Sequence, residues 1–170
     1  SLLLLNVPPD SRGRLHPADS ARLLEFKAAL DRTFSENLAE GAKATATSTR
    51  GRKFAACKML DKDYDSFWAA EDGTDEATVT FQLAGSKTFN RIMLQEYIPL
   101  GQRVSEFCVE AMTEDGKWQP IAEETTIGYK RIVLTDKVTT DKIRVSFKGF
   151  APPLINGFGL FLDSVCTARP

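Results

Sequence analysis

From Ala77 onward the apolar residues fall on alternate positions, and this period limits most narrowly what the chain can build. ATVTFQL sets Val79, Phe81 and Leu83 on one face, FNRIMLQEY offers Ile92 and Leu94, and EFCVEAM gives Phe107, Val109 and Ala111. RIVLTD then supplies Ile132 and Leu134, and KIRVSFKG supplies Ile143, Val145 and Phe147. Successive side chains of a strand point to opposite faces, so a period of two marks strands with one buried side. Turn signals separate the runs: Asp72-Gly73, Gly85-Ser86, Pro99-Leu100-Gly101, Asp115-Gly116 and Pro152-Pro153. Short alternating strands at this spacing, with almost no helical pattern between them, predict an antiparallel β-sandwich or barrel.

The first part of the chain reads differently. Leu2 to Leu5 form an apolar run that goes straight into the turn residues Pro8, Pro9 and Asp10. The run is far short of the roughly twenty apolar residues of a membrane span. It also lacks the basic start, longer apolar stretch and cleavage site of a secretory signal. It reads as a buried strand. Pro17 suits a first helical position and Asp19 the positive helix end. Leu23, Phe26, Leu30, Phe34 and Leu38 then recur at helical spacing, with Gly41 as the stop. Residues 1–41 therefore spell one βα unit, which cannot form a sheet alone. Residues 42–53, AKATATSTRGRK, are small and polar and are expected to link it to the β-rich part, residues 54–170.

Charge narrows the partners. The chain carries 22 Lys and Arg against 23 Asp and Glu, a net charge of -1, so no nucleic-acid or anionic-membrane footprint is expected. Cys57, Cys108 and Cys166 are far apart and read as small core residues. His16, the single histidine, reads as a turn residue beside Pro17. With 23 acids, pairs such as Glu123-Glu124 or Asp61 and Asp63 arise by chance. The sequence holds no GxSxG, phosphate-cradling glycine loop or Cys/His constellation, so an independent active site is not expected. Trp68 and Trp118 sit among apolar residues and read as core.

Two resemblances are carried by specific residues. Leu3-Leu4-Leu5-Asn6-Val7-Pro8-Pro9-Asp10, Gly13, Leu24-Glu25-Phe26 and Phe34-Ser35-Glu36-Asn37-Leu38-Ala39 resemble the last strand and helix of the catalytic barrel in α-L-fucosidases of glycoside hydrolase family twenty-nine. The β-rich part resembles the discoidin-like sandwich, the factor V/VIII C-type fold shared by many galactose-binding modules. The residues concerned run from Leu60 to Trp68, then include Leu100-Gly101-Gln102-Arg103-Val104, Trp118, Thr125 to Arg131 and Ile155 to Phe161. In this order they resemble the C-terminal region of such fucosidases. The expected fold is thus mainly β, a discoidin-like jelly roll preceded by one βα unit of a (β/α)₈ barrel.

The resemblance implies several functional expectations. A retaining fucosidase needs a nucleophile and an acid/base about 5 Å apart, and the family supplies both upstream of this strand, so no catalytic residue is assigned here. The region is expected to be inert alone and to partner the parent barrel, with fucosylated glycans reached through that enzyme. Such enzymes are usually exported, which implies a secreted or periplasmic setting. Discoidin-like modules hold sugars at the loops of one end, which makes Phe67, Tyr97, Gln102, Arg103, Tyr129, Lys130 and Arg131 the carbohydrate-binding candidates. Each also has a structural reading: Arg103 as a partner of a nearby acid, Tyr129 as packing on the sandwich edge. These modules often hold calcium in the loop before the tryptophan, where Asp61, Asp63 and Ser66 stand at corresponding places. The closing acid corresponds to Gly157, and Lys62 takes the usual glycine position, so an empty site is expected and no other cofactor is implied. Two further readings stay open: a sandwich that only supports the barrel, and a stand-alone carbohydrate- or protein-binding module. The orphan βα unit also raises self-association.

Overall fold

A computed structural model describes residues 5–164. The expectations placed on Leu2 to Leu4 and on Cys166 lie outside the described residues. The chain divides into two compact units, Ser1–Ser35 and Glu36–Pro170.

In the first unit, Leu5 is 52% exposed and lies outside any strand. A tight loop follows, closed by a single bridge between Pro9 and Leu15. The Asp10 carboxylate organises it, accepting from the Arg12 guanidinium at 2.6 Å and from the Arg12 and Arg14 backbone N–H groups. The Arg12 side chain, and then these amides, hold the Asp10 carboxyl below the usual aspartate range. Helix α1 spans Pro17–Phe34. His16 caps it, its Nδ1 accepting from the Ala18 N–H at 3.2 Å, while Pro17 has no donor to satisfy. Leu24, Phe26 and Leu30 of α1 are exposed.

Among the described residues the second unit holds seven antiparallel strands: β1 Lys43–Ala46, β2 Trp68–Ala69, β3 Glu76–Glu96, β4 Val104–Met112, β5 Trp118–Glu124, β6 Arg131–Gly149 and β7 Leu154–Phe161. Their order is β2-β7-β3-β6-β4-β5, with β1 also on β3. β3 and β6 are long partners that bend together. The first part of β3 pairs with Lys142–Lys148 and with β1, whereas its last part, from Arg91, pairs with Arg131–Leu134 and with β7. Register shifts between Gln82 and Lys87 and between Phe89 and Arg91 make the bend. One strand pair thereby serves both layers of a sandwich. Phe81 of one layer stacks on Phe158 of the other, centroids 3.9 Å apart, and Trp68 meets Phe147 at 5.7 Å.

Several expectations change on this frame. Gly85-Ser86 does not end a strand, and the runs read as separate strands fuse into β3 and β6. Ile132 and Leu134 are exposed and Val133 is buried opposite Ile92. The inward parity changes in β3, from Val79, Phe81 and Leu83 to Ile92 and Leu94, whereas β6 keeps one parity with Val133, Ile143, Val145 and Phe147 all buried, so Ile132 and Leu134 face outward. The segment expected as a linker contains β1, which pairs Lys43 with Gln82 through Ala46 with Val79 and packs Ala44 and Ala46 on the core.

The helix ends at Phe34 rather than near Gly41 because Asn37 ties the chain to β7 instead. Asn37 Oδ1 accepts from the Ala39 and Leu160 N–H groups, and the Leu38 N–H donates to the Leu160 carbonyl at 2.8 Å. Trp68 is fully buried, its indole N–H on the Ser48 carbonyl at 3.0 Å. Trp118 is not core: it lies half-buried on the edge strand β5 under the Arg144 guanidinium, 4.6 Å from its ring centre. Cys57 is exposed and Cys108 half-buried. Burial, then Glu110 and Glu123, push the Cys108 thiol up, away from thiolate chemistry.

Truncating Phe81 to Ala removes one ring of the inter-layer stack and leaves a cavity. The expected cost is about 3–5 kcal/mol, read as a lower urea midpoint at unchanged slope.

Candidate functional site

Because β3 and β6 double back, the loops following β3, β5 and β6 meet at one end of the sandwich. Glu96, the last residue of β3, knits them. Its carboxylate is fully buried and accepts from the Arg103 N–H at 2.5 Å, the Val104 N–H at 2.9 Å and the Gly128 N–H at 3.3 Å. The Tyr97 N–H donates to the Leu154 carbonyl, the Phe150 N–H to the Arg103 carbonyl and the Ala70 N–H to the Pro153 carbonyl. Segments 97–103, 125–130 and 150–153 are therefore fixed to one another through backbone groups.

On this platform the aromatic side chains form a row. Phe67 stacks on Tyr97 with centroids 4.2 Å apart and planes 17° off parallel. Phe54 flanks Phe67 at 5.1 Å, while Tyr64 lies 6.3 Å from Tyr97 and 5.9 Å from Tyr129. Tyr64 and Tyr129 are 41% and 58% exposed. Burial, then Tyr129 and Tyr97, hold the Tyr64 phenol above its ordinary range, so it stays a neutral hydroxyl that can both donate and accept. Apolar ring faces with polar tips at their edges suit a ligand having one C–H face and a rim of hydroxyls.

The sequence-derived candidates divide. Phe67, Tyr97 and Tyr129 come together in the row. Gln102 and Lys130 are exposed on the two loops and make no side-chain hydrogen bond among the described residues. Among the described residues Arg103 pairs with no acid; its guanidinium donates to the Pro152 carbonyl at 3.2 Å and the Leu100 carbonyl at 3.4 Å. Arg131 pairs with Glu124 and donates to the Thr126 carbonyl at 2.8 Å. Both arginines brace loops. Sequence reasoning missed Tyr64 and Phe54, which complete the row, and Phe150, 90% exposed on the β6–β7 loop. The only signal for Tyr64 was its place between two aspartates in a turn, three residues before Phe67. A separate groove of about 710 Å³ is lined by Thr47, Thr78, Ser146, Cys108 and several glutamates, with its phenylalanines turned inward, so it offers no ring face.

The sequence profile of the F5/8 type C domain matches residues 43–156, more than half of the chain. The chain belongs to that family. An Oryza sativa subsp. japonica protein named as an α-L-fucosidase is 42% identical over 96% of this chain and 32% of its own length. The crystal structure of a Bacteroides thetaiotaomicron protein, likewise named, superposes with a TM-score of 0.92 at 37% identity, covering 97% of this chain and 37% of that one. A Ruminococcus gnavus family twenty-nine fucosidase, solved with fucose, gives 0.88 at 29% identity over 95% and 34%. The chain spans about a third of the length of the curated relatives it matches.

The calcium that the F5/8 type C family suggests does not fit this loop. Asp61 Oδ1 accepts from the Asp63 N–H at 3.0 Å, and Oδ2 from the Ser66 hydroxyl at 2.6 Å and the Lys58 ammonium at 3.2 Å. Asp63 Oδ1 accepts from the Asp65 N–H. Gly157 contributes no side chain, and Lys62, at φ 63°, extends its ammonium to Glu40 at 3.1 Å. Among the described residues no three acid, histidine or cysteine side chains converge as metal ligands.

Replacing Glu96 by Ala leaves three inward backbone donors without their acceptor. At about 1–3 kcal/mol for each buried orphan, the expected loss is at least about 3 kcal/mol in chemical denaturation. Amide exchange at Arg103, Val104 and Gly128 accelerates with it.

Proposed function

We propose that this F5/8 type C domain binds carbohydrate through the row Phe67–Tyr97–Tyr64–Tyr129 and serves an α-L-fucosidase. Hydrolysis belongs to the portion of that enzyme's length which this chain does not span. The observation that carries the reading is the aromatic row itself, presented at one end of the sandwich by loops that a buried carboxylate holds in place. Gln102 and Lys130 stand free beside it to meet sugar hydroxyls. The relatives' names supply the substrate class, glycans bearing terminal α-L-fucose, and an exported setting follows from that chemistry.

The exposed apolar residues of α1 favour a second, compatible role. Leu24, Phe26 and Leu30 suit docking against a larger body, for which the catalytic barrel of the parent enzyme is the natural partner. No described helix is long and apolar enough to cross a membrane.

Calorimetric titration with fucose, galactose and mucin-type oligosaccharides tests the binding role. Heat is expected at millimolar ligand, with Tyr97→Ala and Tyr64→Ala each weakening affinity roughly tenfold, about 1.4 kcal/mol. Absence of heat with all three ligand classes removes the sugar-binding reading. The assigned division of labour predicts no nitrophenol release from an aryl fucoside by the 170-residue chain, and release above the blank refutes it.

A further inference from the structure

The loop before Trp68 must be held somehow, because it carries Tyr64 and Phe67 into the aromatic row and has few backbone bonds of its own. We infer that Lys58 does the work of a divalent ion there: its ammonium is a tethered, internal cation that closes the 58–66 loop. Nζ lies 3.2 Å from Asp61 Oδ2, the oxygen that also accepts from the Ser66 hydroxyl at 2.6 Å. The other Asp61 oxygen takes the Asp63 N–H, and the Ser66 N–H closes on the Asp63 carbonyl at 3.2 Å. One carboxylate thus gathers both ends of the turn, with the lysine's positive charge at its edge.

The rest of the loop agrees with this reading. A calcium ion needs six to eight oxygens at 2.3–2.6 Å, and here the oxygens face donors. The Tyr64 carbonyl is taken by the amide of Asn156 at 3.0 Å, so β7 reaches the loop through a direct hydrogen bond. A side chain at Gly157 would require Gln95 to shift, since a Cβ there would stand 2.8 Å from its Oε1 and 3.1 Å from its Cβ. Lys62 adds a second strap to Glu40. Three direct contacts, Lys58 to Asp61, Asn156 to Tyr64 and Lys62 to Glu40, replace the cross-link that an ion would supply.

Magnitude decides where to look for the effect. The side chains of Lys58 and Asp61 are 38% and 29% exposed, so their pair is worth only a few-fold in the equilibrium for opening the loop. A change of that size is difficult to see in global unfolding but is visible in local opening. The experiment is amide hydrogen exchange at Asp63, Asp65 and Ser66 in wild type, Lys58→Met and Lys58→Arg, each with excess calcium or with chelator. Wild type is expected to exchange at the same rates in both buffers. Lys58→Met should exchange about two- to fivefold faster at these amides, and Lys58→Arg should stay near wild type. Slower exchange of wild type in calcium overturns the inference, and so does a Lys58→Met variant indistinguishable from wild type. Neither readout involves a sugar, so the result is independent of whether the aromatic row binds glycan.

Discussion

A carboxylate with no exposure to solvent, held by backbone N–H groups alone, sets the geometry of the end of the domain that carries the aromatic row. Glu96 follows Ile92 and Leu94 on the inward side of β3, where the alternation calls for an apolar residue. Burying a charge there would be prohibitive without partners. The three donors from Arg103, Val104 and Gly128 are charge-assisted and offset that cost. They can do so only if the loops after β3 and β5 adopt the observed path. Stability of the charge and shape of the loops are therefore one constraint. Tyr97 is Glu96's neighbour and Tyr129 is Gly128's, so the same constraint places two rings of the row.

The fold was legible wherever one layer governs a strand. Val79, Phe81, Ile92, Leu94, Phe107, Val109, Ile143, Val145 and Phe147 are buried as the alternation requires. It was not legible where a strand changes layer. Ile132 and Leu134 follow a correct local period, but they flank Val133, which shares the buried parity of Ile143, Val145 and Phe147; only β3 switches parity, across its register shifts. Lys43–Ala46 escaped notice because alanine and threonine give little hydrophobic contrast, and the strand exists by pairing with β3. Trp118 shows the complementary error: a large apolar ring in a strand suggests core, yet its cover is a guanidinium fixed by Glu110 on a polar sheet face.

At the candidate site, the sequence indicated which loops come together better than which side chains face outward. Arginines in a binding loop suggest ligand contacts, but a guanidinium has five donors, and loops that turn sharply leave carbonyls in need of them. Arg103 and Arg131 serve such carbonyls. Their neighbours Gln102 and Lys130, with no such demand upon them, stay free. Phe54 and Tyr64 could not be inferred from spacing because the row draws on three connections distant in sequence, β1–β2, β3–β4 and β5–β6, which only the folded sandwich brings together.

The same reasoning bears on how such a platform stays ordered. A sugar-binding surface of exposed rings gains little if ligand must first freeze its loops, since that ordering is subtracted from affinity. Here each ring-bearing segment has a fixed anchor within the domain: Glu96 beneath Tyr97 and Tyr129, and Asp61 with Lys58 beside Tyr64 and Phe67. The buried anchor is an anion satisfied by amides, while the exposed one is an ion pair. That asymmetry follows from solvation, because a lysine near the surface keeps most of its hydration and needs only partial compensation. The half of the row resting on Glu96 should accordingly be the rigid half. The half resting on Asp61, held by a partly exposed ion pair, should open more readily.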